Sequence, residues 1–142
     1  MIIPDVNLLL YANISTFAQH KAARRWWEAA LNGTDEVGLA APAVYGFIRI
    51  ATNPRIFENP LAVSEAVSRA ERWLGRRIAR FLLPGPRHLE LAFGLLRELG
   101  AAGNLTTDAQ LAALALEYQA ELHSNDTDFG RFPGLRWVNP LG

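Results

Sequence analysis

Apolar positions along the chain follow two alternating rhythms: short unbroken runs, and longer stretches in which they recur every third or fourth residue. Ile2-Ile3 is the first run, closed by Pro4-Asp5, and residues 6–12 then read as a short helix. Residues 17–31 are amphipathic, with Ala23, Trp26, Trp27 and Ala30 on one side and Lys21, Arg24, Arg25 and Glu28 on the other. Asn32-Gly33 is a helix stop. Residues 37–40 form a second buried strand, and Pro42 suits the first turn of a helix running through Ile50 and Ala51. Asn53-Pro54 ends that helix, because a residue before proline avoids the helical region.

A loop to Leu61 leads into a helix from Val63. Its expected apolar stripe is Val67, Ala70, Leu74 and Ile78, with Arg69, Arg72, Arg76 and Arg80 as a basic stripe opposite. Phe81-Leu82-Leu83 reads as a third strand, closed by Pro84-Gly85-Pro86. Leu89, Ala92, Phe93, Leu96 and Leu99 mark the next helix, stopped by Gly100 or Gly103. Thr107 and Gln110 have capping-box spacing, which puts Asp108 at the first position of a helix. The following run, Leu111 to Leu116, leaves that helix almost no polar face, so it is expected inside the fold. A strand over 121–124, a turn over 125–128 and a last strand over 135–138 complete the chain. Short apolar strands alternating with helices predict a parallel α/β sheet covered on both faces, in one domain spanning residues 1–142.

Composition narrows the function classes. Half the residues are apolar and a fifth charged, which excludes a disordered chain. The formal net charge is zero, so no uniform attraction to polyanions is expected. Lys21 is the one lysine, however, and the remaining cations are arginines suited to local bidentate contacts. The absence of cysteine excludes disulfides, thiolate metal ligands and a cysteine nucleophile. With no leader-like start and no run long enough to span a bilayer, the expectation is a cytoplasmic protein without membrane association.

The acids carry the chemistry. In parallel α/β sheets, ligands bind beyond the carboxyl ends of the strands. Asp5 follows the first strand, Asp126 and Asp128 follow the fourth, and Asp108 heads the helix entering that fourth strand. Carboxylates gathered in one pocket, with no cysteine and no suitably spaced histidine pair, favour Mg²⁺ or Mn²⁺ over zinc. Such an ion supports phosphodiester hydrolysis. Spacing alone leaves other readings open: Asp108 as a helix-terminal charge, and Asp126-Thr127-Asp128 as a plain turn. A phospho-acceptor domain also gathers acids at strand ends, but Lys21 lies on a surface helix, leaving no lysine beside them.

Four segments go further: Asp5-Val6-Asn7-Leu8-Leu9-Leu10-Tyr11-Ala12, Phe47-Ile48-Arg49-Ile50-Ala51-Thr52-Asn53-Pro54, Thr106-Thr107-Asp108-Ala109-Gln110-Leu111-Ala112 and Asn125-Asp126-Thr127-Asp128-Phe129. In order and spacing the chain resembles PIN-domain ribonucleases, and more narrowly the VapC-type toxins of type II toxin–antitoxin systems. The resemblance implies a three-layer α/β/α fold with a short central, mainly parallel sheet. It implies a Mg²⁺-dependent endoribonuclease, with Mn²⁺ as a substitute, and a cognate VapB-type antitoxin that inserts a segment into the active-site groove. It is also compatible with a homodimer. By the same resemblance Asp5, Asp108 and Asp126 hold the metal, and Asp128 joins them as a catalytic acid. Asn7 and Ser124 are positioned to orient these acids by hydrogen bonds, and Arg49 is a candidate substrate contact. Gly46 departs from the family pattern, standing where many members have glutamate. The competing reading is therefore a protein of this fold that binds RNA or antitoxin with little or no hydrolysis.

The remaining features have plainer expectations. The arginine stripe reads as a solvated helix face with Glu65 pairing Arg69. His20 and His123 read as structural, and Trp26, Trp27 and Trp73 as packing residues.

Overall fold

The computed structural model describes every residue from Met1 to Gly142. Strands β1 (Ile2–Pro4), β2 (Val37–Ala40), β3 (Ala79–Leu82), β4 (Glu121–His123) and β5 (Trp137–Val138) form one sheet in the order β3-β2-β1-β4-β5. Every adjacent pair is parallel. The helices are α1 (Val6–Asn13), α2 (His20–Leu31), α3 (Ala41–Ala51), α4 (Val63–Leu74), α5 (His88–Leu99) and α6 (Leu105–Tyr118). None is long and apolar enough to cross a membrane.

Successive strand residues point to opposite faces, and the neighbours Leu39 and Ala40 accordingly enter different cores. Leu39 joins Leu9, Trp27, Phe47 and Trp73 from α1 to α4. Ala40 joins Leu82, Leu95, Leu111, Leu122 and Phe129 on the side of α5 and α6. This is the expected three-layer α/β/α arrangement. The chain leaves β1 for β2 on one side and later returns to β4 on the other, so the carboxyl ends of β1 and β4 flank a switch in strand order. Pro4 pairs in register with His123, which sets Asp5 beside Ser124.

Three expectations about helices need correction. Helix α6 begins at Leu105, so Asp108 is its fourth residue, and Thr107 makes no capping hydrogen bond. Leu105 is buried, and the Leu105 and Thr106 amides donate to the carbonyls of Ala102 and Gly103, which starts the helix earlier than the polar pattern suggests. Helix α4 stops at Leu74, capped by Gly75, and Arg80 belongs to β3. The four arginines therefore do not share one helix face: Arg69 bonds Glu65 and the Asn13 carbonyl, Arg76 bonds Asn32, and Arg80 reaches Glu36.

The buried faces of α4 and α5 are also rotated from the expected stripes. Ala66, Ala70 and Trp73 face the core, while Val67 and Leu74 are each 37% exposed. The small alanines let α4 approach closely, and Trp73 fills the gap with its ring 4.9 Å from that of Phe47 and 5.6 Å from that of Trp27. On α5, Ala92 and Leu95 are buried whereas Leu89 and Phe93 face outward. Gly100 ends α5 at φ 67°, a left-handed conformation that favours glycine.

Candidate active site

Asp5 is placed by the step from strand to helix. Its amide donates to the His123 carbonyl at 2.9 Å, continuing the pairing of β1 with β4, and its Oδ1 accepts the Val6 amide at 2.7 Å to cap α1. Its other oxygen, Oδ2, accepts the Ser124 hydroxyl at 2.8 Å. The side chain is therefore buried with both oxygens engaged.

Ser124, wholly buried, is the hub. Besides donating to Asp5, its Oγ accepts the Asp126 amide at 3.0 Å and the Asn7 amide nitrogen at 3.3 Å. Its carbonyl accepts the indole N–H of Trp137 at 3.0 Å. Asn7 touches no carboxylate directly and acts through Ser124. The Asn7 Oδ1 is buried without a partner.

After β4 the chain turns sharply. Asp126 Oδ1 accepts the Asp128 amide at 2.9 Å and caps a 3₁₀ turn, Thr127–Arg131. Phe129, fully buried against Phe132, pins that turn to the core. The turn expected from the sequence is therefore present, and it aims acids. Carboxylate oxygens of Asp108, Asp126 and Asp128 all lie within 4.8 Å of one another. Asp5 stands beside this trio and is committed to Val6 and Ser124, so Asp128 is closer to the centre of the cluster than the sequence suggested.

Electrostatics reflect the crowding. Burial chiefly, then the charges of Asp5, Asp126 and Asp128, push the Asp108 carboxyl up to about 7. Asp5 is also raised: burial and the Asp126 charge outweigh the bonds from Ser124 and Val6 that favour its ionised form. No arginine or lysine pairs with any of the four acids. An all-oxygen, uncompensated donor set of this kind suits a hard divalent cation.

Arg49 lies in the last turn of α3, exposed and unpaired, across a cavity from Thr107 and Gln110 of α6. Sequence reasoning missed that cavity, because Thr107 and Gln110 have the spacing of a capping box. Gly46 is buried against α1, where an added Cβ would lie 3.1 Å from Val6 Cγ2. His20 Nδ1 sits 2.8 Å from the Tyr11 carbonyl. His123 accepts the Trp26 indole N–H at 3.1 Å and meets Glu121 at 3.2 Å. Neither histidine joins the acids.

A family model described as "PIN domain" matches residues 2–135. The chain is 52% identical over 141 residues to Ribonuclease VapC33 of Mycobacterium tuberculosis, covering 99% of each. It is 41% identical to Ribonuclease VapC37 of the same species, covering 99% of this chain and 97% of the relative. Among solved structures, M. tuberculosis VapC20, a Sarcin-Ricin loop cleaving toxin, aligns with TM-score 0.70 at 18% identity over 96% of this chain and 99% of that one. VapBC-1 from nontypeable Haemophilus influenzae aligns with TM-score 0.70 at 20% identity over the full length of both. At those identities the structural matches speak for the fold.

Proposed function

The chain belongs to the PIN-domain family, and on that premise we propose that it is the endoribonuclease toxin of a toxin–antitoxin pair. The observation that carries the reading is the convergence of Asp108, Asp126 and Asp128 within 4.8 Å, with Asp5 alongside. Curated relatives named as ribonucleases support RNA as the substrate. Solved neighbours that are VapBC assemblies support a VapB-type antitoxin as the partner.

Asp108, Asp126 and Asp128, with Asp5 beside them, are the residues that would hold Mg²⁺ or Mn²⁺. When bound, such an ion supplies positive charge that activates water and offsets charge building up at phosphorus. The protein's own share is positional. Ser124 holds Asp5 by a hydrogen bond and fixes the start of the turn carrying Asp126 and Asp128. Asn7 steadies that serine. Arg49, unpaired and across the cavity from Thr107, the residue before Asp108, is assigned to a substrate phosphate. Gly46 removes one acid from the family pattern, and the three clustered carboxylates supply the oxygen donors without it.

The test is cleavage of end-labelled RNA by the purified chain with Mg²⁺, with Mn²⁺, and in EDTA. Fragments are expected with metal and none in EDTA. Asp5→Ala should keep the native circular dichroism spectrum while cleavage falls about 10²–10³-fold, the loss typical of removing one electrostatic stabiliser. Undiminished cleavage by the purified variant rejects the assignment.

A further inference from the structure

We propose that the cavity between α3 and α6 receives one unpaired base of the RNA, next to the phosphate that is cut. This rests on the ribonuclease reading and extends it to substrate choice. The cavity measures about 530 Å³ and is bounded by Pro42, Tyr45, Gly46, Ile48 and Arg49 of α3 and by Thr107 and Gln110 of α6. That volume lies within the range of about 300–1,000 Å³ usual for small-molecule sites.

Two helix faces build it. Pro42, Tyr45 and Arg49 recur at helical spacing, and Thr107 and Gln110 are three apart on α6, so each set shares a side. None of the four acids lines the cavity, but Thr107, which does, directly precedes Asp108 of the acid cluster, so consecutive residues of α6 serve the two sites.

The polar side chains here are uncommitted. Tyr45, Arg49, Thr107 and Gln110 make no hydrogen bond or ion pair within the chain. Tyr45 is 70% exposed, although two residues along the same helix Phe47 is fully buried. An unpacked aromatic ring offers a stacking platform to an unpaired base. The Gln110 amide and Thr107 hydroxyl supply donors and acceptors to a base edge. Arg49 adds the one charge, of the sign that suits the adjoining phosphate. An apolar peptide side chain in the cavity would strip water from these groups without replacing their bonds. A nucleobase brings a flat apolar face and a polar rim together, and is the better occupant.

The experiment uses short single-stranded RNAs containing the cleavage site, in which each nucleotide in turn lacks its base. Cleavage is measured as kcat/KM, and binding as Kd with Asp5→Asn protein. With the wild-type pocket, removing the base at one position beside the cut should lower kcat/KM and weaken binding roughly five- to hundredfold, the span of one base–aromatic stack. Tyr45→Ala should erase that penalty at the same position and leave the others unchanged. Gln110→Ala should reduce discrimination between bases there. Phe93→Ala, on the outward face of α5, is the control and should behave as wild type.

If Tyr45→Ala slows every RNA equally and the abasic penalty persists, the pocket assignment is overturned while the ribonuclease reading stands. The pocket assignment also fails if Tyr45→Ala spares RNA and weakens only the antitoxin complex. A protein that cuts nothing but keeps a Tyr45-dependent penalty in Kd removes the hydrolytic reading and retains the pocket. No binding and no cleavage overturns both.

Discussion

The Ser124 hydroxyl donates to Asp5 Oδ2 at 2.8 Å across 119 positions of sequence, and the same oxygen accepts the Asp126 amide at 3.0 Å. One buried side chain thus ties the end of β1 to the turn after β4. Ser124→Ala should leave the Asp5 oxygen and the Asp126 amide without a partner, costing about 2 kcal/mol of stability. Cleavage should fall about 10–100-fold, as when a residue supporting metal ligands is lost. Urea midpoints and initial rates read the two effects separately. Wild-type values in both would mean that Ser124 orients nothing.

Stability should depend on pH through Asp108. Its folded pKa, about 7, exceeds the ordinary value of 3.8, so between these limits the folded state binds more protons than the unfolded one. In EDTA, the stabilising contribution of Asp108 is full below about pH 4 and is lost as pH rises through about 7. His123 acts in the opposite sense, because burial chiefly lowers its pKa and the folded state then disfavours its charged form as pH falls through 6.5. The Asp108 share is therefore read as the difference between wild type and Asp108→Asn. The melting temperature of Asp108→Asn should gain on wild type from about pH 5 to about pH 8 in EDTA, and Mn²⁺ should reverse the gap. A pH-independent difference would contradict the crowding of these acids.

Phe129 has no exposed surface and anchors the turn bearing Asp126 and Asp128. Phe129→Ala should cost about 3–5 kcal/mol, as expected for an emptied aromatic site. Phe129→Leu should retain most of the stability yet lower cleavage, since a smaller anchor lets the turn shift. Thermal melts paired with cleavage rates check this. Full activity in a destabilised Phe129→Leu protein would separate the turn from the chemistry.

Gly46→Glu places an acid where, by the resemblance read from the sequence, many family members carry glutamate. A Cβ there lies 3.1 Å from Val6 Cγ2, so Val6 must yield by a few tenths of an ångström. The expected result is tighter Mn²⁺ binding by calorimetry together with a lower melting temperature. Val6→Ala in the same chain should recover part of the lost stability. Unchanged Mn²⁺ affinity would mean that the new carboxylate does not reach the acids.

The sequence by itself determined the alternation of strands and helices, the strand-end positions of Asp5 and Asp126, and the buried character of α6. Those are local properties, set by periodicity and by residues a few positions apart. Tertiary structure decided which sides of α4 and α5 were buried, because Ala66, Ala70 and Trp73 answer to the shapes of Trp27 and Phe47 on other helices. It also decided where α6 begins, since burying Leu105 outweighed a capping pattern at Thr107. That earlier start left Thr107 and Gln110 free to line a cavity opposite Tyr45 and Arg49. The grouping of three acids within 4.8 Å depends on β4 lying beside β1, and no run of neighbouring residues encodes that distance.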